Sequence, residues 1–144
     1  MDEFFKYSDA VRDAIAGTTP VVAIESTVIA HGLPTDAALA TAAAMHEAII
    51  AEGAVPAMIG LMDGAVKIGL EDLEIEPLAT TGDAHKVSRR DFAYALATRQ
   101  IGATTVASTM MAGSMTGIPI MTTGGIGGVH RGAEIFMDIS ADLQ

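Results

Sequence analysis

The sequence predicts an α/β fold: a layered α/β/α domain around a largely parallel central sheet. Short apolar, β-branched runs alternate with longer segments of helical spacing, as successive βα units require. Polar clusters fall directly after those runs, where open parallel sheets gather ligands. Half of the 144 residues are hydrophobic, 18% are charged, and the mean hydropathy is +0.40. That is enough apolar material for a core, and more than one soluble domain of this length normally carries. An incomplete domain, buried further by missing sequence or partner chains, is therefore expected. No repeat, low-complexity tract or linker divides the chain, so residues 1–144 form a single unit.

The elements follow in order. Residues 8–16 are polar and amphipathic and stop at Gly17, which predicts a short helix. PVVAI at 20–24 reads as a buried strand. Glu25-Ser26-Thr27 follows it directly. Thr35 or Asp36 caps a long helix to about Glu52, with Leu39, Ala43, His46 and Ile50 on one stripe and Gly53 as its stop. AVPAMIGL at 54–61 is a second strand, although Pro56 argues against a central ladder for its first half. After a Met62-Asp-Gly-Ala turn, residues 66–68 complete a hairpin, and 71–79 form a short acidic helix. Ser88-Arg-Arg-Asp91 has the pattern of a capping box and opens a helix to about Gln100. Strands at 103–107 and 118–122 flank a small-residue helix at 109–116.

Charge narrows the function. The net charge is −10, a field that repels duplex nucleic acid, so no nucleic-acid partner is expected. No apolar run approaches the ~20 residues of a membrane span, and the acidic start MDEFFKYSDAVRDA is no secretory leader. With no cysteine there is no disulfide framework or thiolate chemistry, which fits a cytoplasmic setting. Of eight Lys and Arg, four (Lys86, Arg89, Arg90 and Arg131) lie near motif-like stretches. Local positive charge in an acidic chain suits a small anionic ligand. Arg89 and Arg90 read equally well as a solvated helix face.

Three polar clusters follow strand candidates: Glu25-Ser26-Thr27, Ser108-Thr109, and TTGGIGGVHRGAE at 122–134. The glycine stretch is no P-loop, because no Gly-Lys-Ser/Thr follows. It is no dinucleotide fingerprint either, because His130 sits where the third glycine belongs. It reads as an amide-rich turn able to cup a sugar or phosphate, against a tight chain crossing. The neighbouring His130 and Arg131 favour the first. Glu25, directly after an apolar strand, loses part of its hydration, which suits it to proton transfer. It could instead pair with an arginine or cap the next segment. His31, in a His-Gly-Leu-Pro turn, and His46, mid-helix, are weaker candidates, and His46 reads as a core or surface residue. Asp138 and Asp142 in MDISADL, four apart, would share a helical face and could hold Mg²⁺ or Mn²⁺ with waters. Ser140 and Asp142 read more simply as helix caps.

Five segments, AIESTVIAHGLP, AEGAVPAMIGLMDG, KVSRRDF, GATTVASTM and TGGIGGVHRGAE with DISADL, resemble the signature segments of the pseudouridine-5′-phosphate glycosidase family. Their order and separation agree from about Thr18 to Gln144. The resemblance implies cleavage of the C–C glycosidic bond of pseudouridine 5′-phosphate to uracil and ribose 5-phosphate, with Mn²⁺, in a homotrimeric α/β enzyme. It implies Glu25 as proton donor, Lys86 as a substrate-binding lysine, and Val106 as a contact through its backbone amide. It further implies Asp138 as manganese ligand, Ser140, Ala141 and Asp142 as a substrate-binding run, and His130 in the active-site region. A C–C glycosidic bond has no lone pair to protonate at the linking atom, so two-carboxylate glycosidase chemistry fits badly. An amine that opens the ribose as an imine supplies the electron sink. In the family that lysine lies in an AGAKS-like stretch downstream of DISADL, and only Lys6, Lys67 and Lys86 occur here. The chain is thus expected to correspond to the N-terminal half and to lack turnover alone. The alternative is a non-catalytic chain, truncated or split, that binds sugar phosphate or assembles with a partner. A metal-dependent hydrolase of another ribose phosphate comes third.

Overall fold

Seven short strands make one mixed sheet in a computed structural model that describes residues 3–144. The strands are β1 (Phe5–Tyr7), β2 (Val21–Ile24), β3 (Val55–Met62), β4 (Ala65–Ile68), β5 (His85–Val87), β6 (Gly102–Thr104) and β7 (Ile120–Thr122). The helices are α1 (Asp9–Ala16), α2 (Thr27–His31), α3 (Thr35–Ala51), α4 (Asp72–Thr80), α5 (Phe92–Ala97), α6 (Val106–Thr116) and α7 (Ala133–Phe136). Pairing is parallel for β1/β4, β2/β3, β2/β7 and β5/β6, and antiparallel for β3 with β4 and with β6. The expected α/β class and largely parallel sheet are observed.

β3 is long enough to have two halves with different neighbours. β2 runs beside its first half, from Val21↔Val55 to Ile24↔Met58. Along the second half, β4 takes one edge and β6 the other. β2 and β6 therefore lie end to end on one edge of β3 and run toward each other. Their carboxyl ends meet where the Ser26 N–H donates to the Thr104 carbonyl at 3.3 Å.

Pro56 sits within this ladder, opposite Val22, contrary to the expectation for that half-strand. The Val55 N–H donates to Pro20 on the β2 side. Alternation then turns the Pro56 nitrogen to the other edge, where β4 pairing begins only at Ile59. The expected hairpin forms through Asp63 and Gly64, both at positive φ (55° and 77°), the geometry that matches strand twist in a two-residue turn.

Alternation on β3 feeds two cores. Ala57, Ile59 and Leu61 join Val11 of α1, Phe92 and Ala95 of α5 and Ala112 of α6. Met58 and Met62 join Ile29 of α2, Ala38 and Ala42 of α3, and Ile75 and Leu78 of α4. Helices thus cover both sheet faces, giving the three layers. On α3 the buried residues are Ala38 and Ala42, while Ala43 and Ile50 of the expected stripe are exposed. Its first turn has no side-chain cap, Pro34 being the N-cap residue in place of Thr35 or Asp36.

β1, β5 and α2 went unread in the sequence. FKY and HKV are too short to show alternation, and pairing with β4 and β6 makes them strands. The helix expected from 109 begins at Val106, and the strand before it stops at Thr104. The helix after Asp91 ends at Ala97 rather than Gln100, and the expected capping box closes through the Ser88 N–H, which donates to Asp91 Oδ2 at 3.0 Å.

Candidate active site

The meeting of β2 and β6 is sealed by hydroxyl groups. The Ile59 carbonyl accepts from both Ser26 Oγ (2.6 Å) and Thr104 Oγ1 (2.7 Å). The Thr104 N–H donates to Ser26 Oγ at 2.9 Å, and Thr109 Oγ1 donates to Thr104 Oγ1 at 2.9 Å. Ser26, Thr104 and Thr109 are fully buried. Each hydroxyl proton has an acceptor, so burial leaves no polar group unpaired. Ser108 is equally buried and donates to the Val87 carbonyl at 2.6 Å. The Ser108-Thr109 cluster is therefore framework rather than site wall, and Thr105 and Val106 take its place at the strand end.

Above this seam opens a cleft of about 770 Å³. The carboxyl ends of four strands reach it. β2 delivers Glu25 and Thr27, β5 delivers Ser88, β6 delivers Thr105 and Val106, and β7 leads into the glycine turn with Gly125 and Gly127. Lys86, Arg89, Arg90 and Asp91 also line it, as do His130 and the 139–142 segment. The sequence candidates Glu25, Lys86, Val106, His130, Ser140, Ala141 and Asp142 all line this one cleft. Asp138 and Arg131 do not.

Glu25 is 7% exposed. Thr27 donates its hydroxyl to Glu25 Oε2, and the Thr123 hydroxyl is bonded to Oε1. Both threonines were missed as partners of Glu25, because Thr123 is 98 residues away and only the β2/β7 register brings it close. The carboxyl group is thus fixed at both oxygens at the edge of a polar cleft, an orientation suited to proton transfer.

A second wall hangs on Asp142. Its Oδ1 accepts from the Ala107 N–H at 2.9 Å and its Oδ2 from the Gly127 N–H at 3.0 Å. One carboxylate therefore caps the first turn of α6 from a distance and ties down the glycine turn. A Cβ on Gly127 would lie 2.7 Å from Ser140 Cβ and 3.0 Å from Asp142 Oδ2, so close approach explains that glycine. Gly124, Gly125 and Gly128 face open space.

Asp138 and Asp142 do not share a helical face. Met137 at φ 55° ends α7 before Asp138. Asp142 lies in a separate 3₁₀ turn whose N-cap is Ser140, as the capping alternative anticipated. Asp138 Oδ2 instead meets His130 Nδ1 at 2.9 Å, with both side chains exposed (63% and 61%). Among the described residues no three His, Asp or Glu side chains converge on a point. Asp138 therefore does not form a closed cage. With Oδ2 taken by His130, its exposed carboxylate leaves one oxygen, which suits only a hard cation that keeps most of its waters.

Two further histidines are placed by their surroundings. His31, the last residue of α2, has its pKa lowered by loss of hydration and then by the charge of Lys86, with the Ala84 backbone acting in the opposite sense. His46, on α3, is lowered by burial and raised in part by Asp72. Its Nε2 is buried without a hydrogen-bond partner, and it lines a different cavity with Asp72 and Glu76.

A family model described as indigoidine synthase A like protein matches residues 10–144. The chain is 53% identical over 139 residues to the pseudouridine-5′-phosphate glycosidase of Solibacter usitatus, covering 96% of this chain and 46% of that protein. It is 51% identical over its whole length to the enzyme of that name from Lysinibacillus sphaericus, covering 47% of it. The chain thus spans about half the length of the curated relatives it matches. Among solved structures, the prealnumycin C-glycosynthase AlnA in complex with ribulose 5-phosphate superposes with a TM-score of 0.89 at 43% identity, covering 99% of this chain and 46% of that one. An indigoidine synthase A-like protein from Thermotoga maritima gives 0.80 at 36% identity, covering 86% of this chain and 41% of that one.

Proposed function

Because the chain belongs to the indigoidine synthase A-like protein family, we propose that its cleft acts on the C–C glycosidic bond of pseudouridine 5′-phosphate. The products are uracil and ribose 5-phosphate. The observation that carries this reading is the convergence of Glu25, Lys86, Val106, His130 and the 140–142 run on one cleft. Relatives about half identical in sequence bear the corresponding enzyme name.

Overall, water adds across the bond: the base carbon gains a hydrogen and the sugar carbon becomes the anomeric carbon of ribose 5-phosphate. Glu25, held by two threonines, gives the proton to the departing base. Lys86 and the Val106 amide at the start of α6 hold the phosphate. The remaining lysines lie elsewhere: Lys67 pairs with Glu74 at 2.6 Å, and with Lys6 it lines another cavity. With Lys86 committed to the phosphate, the amine that opens the ribose is assigned to polypeptide outside these 144 residues. Asp138 would anchor a largely hydrated Mn²⁺, which supplies fixed positive charge near an anionic substrate. Ile135, Phe136 and Met137 are exposed by 71%, 78% and 76%, which supports burial by further polypeptide, including the self-association the resemblance implies.

The test is uracil release from pseudouridine 5′-phosphate with Mn²⁺, for this chain alone and mixed with the second half of a full-length relative. Turnover only in the mixture is expected. Turnover by the chain alone would return the imine role to one of its own lysines. A second reading, a chain that binds sugar phosphate without chemistry, is favoured by Lys86 being the only lysine on the cleft wall among the described residues. It predicts ribose 5-phosphate binding with no uracil in either sample.

A further inference from the structure

The contacts of Thr123 are each given a proton of their own when Glu25 carries one. Three polar atoms surround Thr123 Oγ1: Glu25 Oε1, the Gly125 carbonyl at 2.9 Å and the Gly125 N–H at 3.1 Å. A hydroxyl has one proton to give and can accept two. The Gly125 N–H takes one acceptor position. If Glu25 is ionised, the hydroxyl proton goes to the carboxylate, and the Gly125 carbonyl faces oxygen lone pairs at 2.9 Å. If Glu25 is protonated, it donates to Thr123, Thr123 donates to the Gly125 carbonyl, and every contact is satisfied. Glu25 Oε2 is already served by Thr27 in either state.

We propose that Thr123 relays the protonation state of Glu25 to the glycine turn. This rests on the reading of Glu25 as proton donor. In the protonated state the turn is latched at Gly125, whose backbone lines the cleft. When the Glu25 O–H bond breaks and its proton becomes the new C–H hydrogen of the departing base, Oε1 becomes an acceptor. The Thr123 proton then swings from the Gly125 carbonyl to Oε1, and the latch loosens to the single Gly125 N–H bond. The turn is held less tightly only after the proton has been delivered, which favours product release after chemistry. Gly124 and Gly125 meet nothing within 4 Å of a would-be Cβ, which leaves them room to move. Thr123 is on this account a positioning residue.

The test needs no substrate. In one pH titration the Glu25 carboxyl carbon resonance and the Gly125 amide resonance are followed together in the wild type, Thr123→Val, Thr123→Ser and Glu25→Gln. The other ionisable groups on the cleft wall are Lys86, Arg89, Arg90, Asp91, His130 and Asp142, and Glu25→Gln isolates their contribution to the Gly125 signal. The wild type and Thr123→Ser are expected to show Gly125 moving along the Glu25 curve, a movement lost in Glu25→Gln. In Thr123→Val, Glu25 still titrates and Gly125 no longer follows. A Gly125 amide that ignores Glu25 in the wild type, or tracks it in Thr123→Val, overturns the relay. Uracil release is a separate measurement, so failure of the relay and failure of the functional assignment are told apart.

Discussion

The two walls of the cleft are built by different physics. The Glu25 wall rests on strand ends whose hydroxyls are buried and paired, with Ser26 and Thr104 clamped on one carbonyl and Thr109 on Thr104. The Asp142 wall is loop and 3₁₀ turn, its half-buried and exposed residues held by two amide bonds to one carboxylate, one imidazole–carboxylate contact and two backbone bonds that join 128–130 to 138–140. Proton transfer needs a group fixed to a fraction of an ångström, and Glu25 sits on the wall that can fix it. Ligand entry needs a wall that can move, and local opening is cheapest where few buried contacts would be lost.

The sharpest test of this contrast is Glu25→Gln, which keeps the shape and removes the proton. In any polypeptide context that supports turnover, uracil release should fall about 10²–10⁴-fold, the usual contribution of a positioned acid, with the circular dichroism spectrum unchanged. Wild-type rates would remove Glu25 from the chemistry. Lys86→Ala comes next. A charged contact to phosphate worth roughly 1.5–3 kcal/mol should raise KM about 10- to 100-fold and leave kcat nearly intact, and an unchanged KM would count against its role.

Thr104→Val probes the rigid wall without touching ligand. It removes the donor to Ile59 and the acceptor of Thr109, so urea unfolding should show a loss of about 1–3 kcal/mol. Asp142→Asn probes the other wall. One amide bond is lost, global stability should change by about 1 kcal/mol or less, and exchange of the Gly127 amide should accelerate well before global unfolding. If the two substitutions lowered global stability equally, the contrast between the walls would fail.

The smallest effect lies away from the cleft. The folded pKa values of His31 and His46 are lowered below 6.5. The unfolded chain then binds more protons just below pH 6.5, so their contribution to stability is present above that pH and is lost as pH falls toward the folded values. The urea midpoint should decline in that window, and His46→Gln should flatten the slope.

How much of this was legible in the sequence depends on distance along the chain. The long runs that became β2, β3, β4, α3 and α4, and the 88–91 capping box, are local patterns and were readable. So was Glu25, which stands at the end of a clear strand. Thr123 as its partner was not, because that contact exists only through the β2/β7 register. Asp142 was legible as a cap, yet the helix it caps at a distance begins 36 positions earlier at Val106. The shared face expected of Asp138 and Asp142 failed at Met137, whose positive φ no periodicity argument foresees. The glycine-rich turn was readable as open backbone, but only the fold shows that Gly127 answers to Ser140 and Asp142 while Gly124, Gly125 and Gly128 answer to space.

The end-to-end placement of β2 and β6 also has a mechanical side. β3 is the one strand that pairs with both groups, β2 on its first half and β4 and β6 on its second. It splices two plates, and Ile59 sits at the splice. The Ser26 and Thr104 hydroxyls on its carbonyl pin the plate that bears Glu25 to the plate that bears Lys86. The floor of the cleft is the sheet itself.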